Sequence, residues 1–155
     1  MDNTFKIVTH SDADTITIAE NLEAEKFPNM VICLNGDLGS GKTVFAKAFA
    51  GAMGISEVTS PTFNIIKEYV GELPMYHIDV YRTDGKVDGL GLEEYYDKGG
   101  VTIIEWAEMI EEHLPEERLD ITFKITGENT RTLVIAPYGD DYLRLCEEAL
   151  WEHFL

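Results

Sequence analysis

The sequence predicts an α/β fold: a mixed sheet, parallel at its centre with antiparallel hairpins, flanked by helices. Three observations predict it. "MVICLN" (30–35) and "VTIIEW" (101–106) are continuous apolar runs, the pattern of strands buried on both faces as in parallel sheets. Segments with apolar residues at helical spacing are interleaved with the strand-like runs. Finally, two pairs of strand-like segments are joined by the short connections "GELP" and "GEN", which is hairpin chemistry.

In chain order, "FKIV" (5–8) reads as a short strand. Ser11 and Asp14 form an S-x-x-D capping box that opens a helix with Thr15, Ile18, Ala19 and Leu22 on one face, ending near Pro28. The buried strand 30–35 runs directly into a glycine-rich turn, and a helix leaves that turn over 43–53 with Gly54 as its stop. "TFNIIKEYV" (62–70) and "MYHIDVYR" (75–82) make the first hairpin. "GLEEYYD" (91–97) is a short helix, and "AEMIEEHL" after the strand 101–106 continues as helix up to Pro115. The segment 83–91 carries Gly85, Gly89 and Gly91, which disfavour a regular helix. "RLDITFKIT" and "TRTLVIAP" make the second hairpin. "DDYLRLCEEALWEHFL" closes the chain as an amphipathic helix with Tyr142, Cys146, Ala149, Leu150 and His153 on one face.

The 155 residues fit one domain, 1–155, with a single core. No apolar run reaches the ~20 residues that span a bilayer, and the first residues lack the basic start and apolar centre of a signal peptide. A cytoplasmic protein is expected. The two cysteines, Cys33 and Cys146, have no metal-site or disulfide spacing and read as small core residues. The net charge is −17, with 29 carboxylates against 12 Lys and Arg. Nucleic-acid backbones are gripped by cations, so any nucleic-acid pathway would be served through a partner.

The turn after the buried strand is G-x-x-x-x-G-K-[ST] as Gly36 to Thr43, the phosphate-cradling P-loop, here in the strand-to-helix setting that the motif requires. Gly36, Gly39 and Gly41 let backbone N–H groups converge on phosphate oxygens. Lys42 adds charge at the β and γ phosphates, and the Thr43 hydroxyl reaches magnesium. Such a site also needs a carboxylate at the end of a neighbouring apolar strand. Glu105 follows the more apolar run. Asp79 is the other candidate; it lies in a tyrosine-rich stretch open to reading as an edge hairpin with a surface aspartate. His77 is two residues before Asp79 and so shares its strand face. "SPT" (60–62) is turn chemistry, read either as a plain turn or as a switch in which Ser60 or Thr62 senses the γ phosphate. His10, His113 and His153 have no ligand-spaced companion. N-K-x-D is absent and only four arginines are present, which favours ATP over GTP and weakens a nucleoside monophosphate kinase reading.

"NGDLGSGKT", "SPTFNIIKEY", "YHIDVYR", "IIEWAE" and "LPEERLDI", in this order and at these separations, strongly resemble the TsaE (YjeE) family, small bacterial ATPases of tRNA threonylcarbamoyladenosine synthesis. The resemblance covers about residues 11 to 145. It implies a P-loop NTPase-like fold and a Mg-dependent ATPase, weak alone and stimulated by partners. Those partners are the threonylcarbamoyl transferase of the pathway and its catalytically inert paralogue, with tRNA reached only through them and no membrane involved. The implied product is the threonylcarbamoyl group on adenosine 37 of tRNAs reading codons that begin with adenine. Hydrolysis is implied to reset the transferase complex between turnovers.

Carried over by position, Asp37, Leu38, Gly39, Ser40, Gly41, Lys42 and Thr43 bind the phosphates, Thr43 and Glu105 hold magnesium with Asp79, and Lys42, Asp79 and Glu105 carry hydrolysis. Ser60 and Thr62 correspond to the switch, and Trp106 and Arg131 lie near the site. The segment from Ser11 to Thr15 is placed to meet the adenine if the first strand lies beside the loop. One departure is "TDGKVDGLGLEEY", where the family pattern continues H-x-D-x-Y-R with Leu and an acidic helix. Two other functions are compatible with the loop: a small-molecule kinase, from the P-loop alone, and a nucleotide-gated interaction module, from the lack of an obvious substrate pocket in the sequence.

Overall fold

Strand Met30–Gly36 is the axis of the molecule. The computed structural model describes residues 3–58 and 65–154. Its strands are β1 (Phe5–Thr9), β2 (Met30–Gly36), β3 (Ser56–Val58), β4 (Ile66–Val70), β5 (Met75–Asp79), β6 (Val101–Glu105), β7 (Arg118–Ile125) and β8 (Arg131–Tyr138). They form one eight-stranded sheet in the order β1-β8-β7-β2-β6-β5-β4-β3. The four central strands β7, β2, β6 and β5 are mutually parallel. The outer pairs β1–β8, β8–β7, β5–β4 and β4–β3 are antiparallel. A parallel centre with antiparallel sides is the arrangement the sequence predicts.

The helices α1 (Asp12–Ala24), α2 (Lys42–Met53) and α4 (Asp140–Leu150) cover one face of the sheet. Ile18 and Leu22 of α1 and Phe45 and Phe49 of α2 meet Ile32, Leu34 and Ile103 there, all nearly solvent-free. Each such side chain contributes ~1.5–3 kcal/mol by leaving water. Tyr142 of α4 accepts the Val31 N–H at 2.8 Å, tying that helix to the start of β2. Val31, Cys33, Ile78 and Ile104 point to the other face, where α3 (Leu92–Tyr95) and the turns around Val87 and Ile110 cover them. Burial of β2 on both faces explains its unbroken apolar run.

Several elements differ from the sequence expectation. β5 is an inner strand between β6 and β4, so the Asp79 stretch is not a sheet edge. It ends at Asp79 and gives way to a 3-10 turn over Tyr81–Thr83. "AEMIEEHL" is not an α-helix: Ala107–His113 is 3-10, broken by non-helical backbone at Ile110. The last helix ends at Leu150 and continues as a 3-10 turn, Trp151–Phe154. β3, three residues long, escaped the sequence pattern. The capping box is half-formed: the Ser11 side chain accepts from Asp14 N–H, but the Asp14 carboxylate takes the N–H of His10 at 2.8 Å.

Because β1 runs in the same direction as the central parallel strands, β1, β2, β5, β6 and β7 all end at one edge of the sheet. The β7–β8 turn lies at the same edge. In parallel α/β sheets, ligands bind outside these carboxyl ends.

Candidate functional site

The turn between β2 and α2 is shaped by its glycines. Gly36 has φ 138, and a Cβ there would sit 2.6 Å from the Phe123 carbonyl of β7, so only glycine lets the loop leave the sheet here. Ser40 N–H closes the turn on the Asp37 carbonyl at 3.1 Å. Lys42, though charged, is buried. Its ammonium donates to the Gly36 carbonyl and, at 3.0 Å, to that of Asp37, and it stands 3.8 Å from the centre of the Trp106 ring. Burial holds the Lys42 pKa below its ordinary value against the opposing pull of Glu108, Glu105, Asp37 and Asp79.

Glu105 ends β6 and is also buried. Oε1 accepts the Thr43 hydroxyl at 2.9 Å, and Oε2 lies 2.5 Å from His77 Nε2 of β5. Burial alone would raise this carboxyl. The hydrogen bond and charge of His77, then Thr43 and Lys42, outweigh it and leave the pKa below the ordinary value. Asp79 is the direct register partner of Glu105 across β5 and β6, and its Oδ1 accepts the Tyr81 N–H at 3.0 Å. The residue after Glu105 is Trp106, with φ 64, a conformation that costs a bulky residue ~1–3 kcal/mol. Its N–H is held by the Leu34 carbonyl at 2.9 Å, and its ring packs on Tyr81 with centroids 4.6 Å apart. Glu108, two residues on, accepts the Gly36 N–H at 3.0 Å.

Lys42, Thr43, Asp79, Tyr81, Glu105 and Trp106 line a cleft of about 730 Å³, inside the ~300–1,000 Å³ range of small-molecule sites. The loop from Leu38 to Thr43 forms its floor, with Asp79, Glu105 and Trp106 on one side. Ser11 and Thr15 at the start of α1 form another wall, and Glu128, Asn129 and Arg131 of the β7–β8 turn a third. Arg131 donates to the Gly127 and Thr130 carbonyls of its own turn and to the Gly39 carbonyl of the loop at 3.3 Å. Its two hydrogen-bond directions join hairpin to loop.

A family model described as "Threonylcarbamoyl adenosine biosynthesis protein TsaE" matches residues 9–133. The chain belongs to the TsaE family. Among TsaE relatives, the Bacillus subtilis protein described as "tRNA threonylcarbamoyladenosine biosynthesis protein TsaE" is 48% identical over 142 residues, 90% of each chain. The Treponema pallidum protein of the same description is 38% identical over 109 residues, 68% of this chain and 81% of that one. The crystal structure of Bacillus subtilis YdiB superposes with a TM-score of 0.85 at 43% identity, covering 98% of this chain and 97% of that one. The fold is thus the P-loop NTPase-like fold of TsaE proteins.

In this TsaE fold Leu38, Gly39, Ser40, Gly41, Lys42, Thr43, Asp79, Glu105, Trp106, Arg131, Ser11 and Thr15 all come together in the cleft. Asp37 does not line the cleft; its carbonyl accepts from the Lys42 ammonium. Ser60 and Thr62 lie outside the described residues. Sequence reasoning left His10, Tyr81, Glu128 and Asn129 without a role, yet each lines the cleft. Their only signal is topological: they follow β1, β5 and β7, whose ends coincide at this edge.

Proposed function

We propose that the chain is an ATP-binding, Mg-dependent ATPase that supports formation of threonylcarbamoyladenosine at position 37 of tRNAs reading codons that begin with adenine. It acts on the threonylcarbamoyl transferase and its inert paralogue, inside the cytoplasm, and 1–155 works as one domain. The observation that carries this reading is the Glu105 carboxylate, buried beside Lys42 and hydrogen-bonded to the Thr43 hydroxyl at the head of α2. A hydroxyl and a carboxylate at the foot of a phosphate loop are the protein's share of a magnesium nucleotide site.

The residues present fit that ligand. Magnesium takes one or two carboxylates and completes its oxygens from phosphates and water. Thr43, Glu105 and Asp79 supply that donor set. The Ser40 hydroxyl, buried in the loop, has no hydrogen-bond partner among the described residues. Lys42 is held over the loop by carbonyls and the Trp106 ring, from which it can turn to phosphate oxygens at small cost, because its hydration is already lost. Arg131 brings a second cation to the loop's rim.

Magnesium would neutralise charge on the β and γ phosphates. Lys42 and the α2 N-terminus stabilise the negative charge that accumulates as the phosphoryl group leaves. Asp79, half-buried and aimed into the cleft, is the base-side group that orients an attacking water. Ser11 and Thr15 bound the end of the cleft where the adenosine would lie.

ATP turnover measured with and without the transferase pair tests the reading. A slow rate alone that rises when both partners are added is expected, as is loss of threonylcarbamoyladenosine in nucleosides from depleted cells. Normal nucleoside levels would overturn it. If Glu105→Gln binds ATP, stops hydrolysis and leaves tRNA modification intact, nucleotide binding without hydrolysis is the function instead.

A further inference from the structure

His77 is the one buried histidine among the described residues, and its ring meets a still more deeply buried carboxylate. It points to the α2 face of the sheet from β5, one strand over from Glu105, with its backbone paired to Ile103 on one side and Lys67 on the other. Both oxygens of Glu105 are therefore engaged, Oε2 by the imidazole and Oε1 by the Thr43 hydroxyl. A carboxylate gripped at one oxygen by a ring that cannot swing into solvent has its plane fixed. Its other oxygen is then fixed as well, and so is the direction in which Thr43 donates its proton. With that proton pinned on Glu105, the lone pairs of the Thr43 hydroxyl are left for a cation.

We propose that His77 is the positioning residue that orients Glu105, and through it Thr43, for magnesium at this site. The proposal rests on the Mg-ATP reading above. Partners one step behind a metal ligand typically set its orientation, and their loss costs ~10–100-fold in metal affinity or activity. A histidine that merely filled space would be replaceable by an apolar side chain of similar volume.

Two variants separate these roles: His77→Leu keeps the volume without the donor, and His77→Gln keeps an N–H near the position of Nε2. ADP affinity of the full chain is measured in EDTA and again in MgCl2, alongside the Mg dependence of ATP turnover. For His77→Leu, ADP affinity in EDTA stays within about twofold of the native chain. The tightening by magnesium falls ~10-fold or more, and the magnesium concentration for half-maximal turnover rises by a similar factor. His77→Gln recovers most of both. A native magnesium response in His77→Leu, or no recovery in His77→Gln, overturns the proposal.

Glu105→Gln separates the proposal from its parent reading. If that variant responds to magnesium like the native chain, the Mg-ATP assignment falls and the role of His77 with it. If Glu105→Gln loses the response and His77→Leu keeps it, only the role of His77 falls. Should His77→Leu fail to fold, nitrogen-15 NMR of histidine in the native chain decides. The His77 Nε2 resonance is expected to shift when MgCl2 is added to the ADP-loaded protein, and to stay put when MgCl2 is added alone; an unmoved resonance in the loaded protein overturns the proposal.

Discussion

Gly36 is held by two independent constraints, and they make it different from its neighbour in the motif. Its positive φ disfavours any side chain, and a Cβ would press on the Phe123 carbonyl at 2.6 Å, where β2 pairs with β7. Gly39 also has a positive φ, 78, but its added Cβ meets nothing within 4 Å. Gly36→Ala should thus cost more than the ~1–2 kcal/mol of left-handed strain alone, since the β2–β7 pairing must also shift, whereas Gly39→Ala should stay near that strain. Chemical denaturation checks the difference, and equal losses would mean that the strand contact yields freely. In the sequence both glycines read alike, as positions that free backbone N–H groups for phosphate, although the motif itself requires only Gly36. What the sequence could not carry was the distinction, because Phe123 arrives from 87 residues away by a pairing that no local pattern encodes. The same limit applies to the site carboxylates: Glu105 was legible from its apolar run, but its contact with His77 depends on β5 lying beside β6.

At the scale of elements, the surprise is the stretch after β6. "AEMIEEHL" has helical composition, yet Trp106 begins it with left-handed backbone and Ile110 breaks it, so the segment turns as 3-10 and drops Ile110 into the core. Tertiary demands, the Trp106 ring beside Lys42 and Ile110 in the buried cluster with Val31 and Cys33 of β2, override propensity here. The segment is fastened by His113. Its Nδ1 lies 2.6 Å from Glu93 of α3, its Nε2 lies 3.3 Å from Asp88 of the glycine-rich loop, and Glu112 stands 3.8 Å away. The Glu93 hydrogen bond is the largest influence and raises the His113 pKa, and the same bond lowers that of Glu93. A raised histidine adds stability below its unfolded value of ~6.5 and loses it as pH climbs through the raised folded value. Glu93 contributes above its ordinary 4.5 and loses its share as pH falls through the lowered value. Residues 84–95 should therefore be best protected between about pH 4.5 and 6.5 and should loosen above that window. Amide exchange, corrected for its intrinsic pH dependence, measures this, and His113→Ala should abolish the trend while leaving α1 and α2 unchanged. Segment-wide protection that ignores pH in the native chain would remove His113 as the fastener.

At the scale of the whole molecule, the charge and the sheet order bear on function together. The parallel centre and its hairpins were legible from apolar runs and short glycine connections, but the strand order was not, since it depends on pairings between residues far apart. That order gathers the cations Lys42 and Arg131 in the cleft, while α4 presents Asp140, Asp141, Glu147 and Glu148 to solvent with only Arg144 among them. The remaining surface is governed by a net charge of −17. Phosphate-backbone binding draws its free energy from releasing counterions to Lys and Arg, and a cleft sized for one small molecule cannot contact a run of phosphates. The chain by itself should consequently fail to retain tRNA even at ~50 mM salt, where cationic proteins bind nucleic acid nonspecifically at ~10⁻⁴–10⁻⁶ M or tighter. Fluorescence anisotropy of labelled tRNA titrated with the chain measures this, first alone and then with the transferase pair present. Binding that appears only with the pair is expected, and its salt dependence should match that of the pair without this chain. A steeper dependence when the chain is added would mean that it contributes phosphate contacts of its own, and its acidity would then need a different explanation.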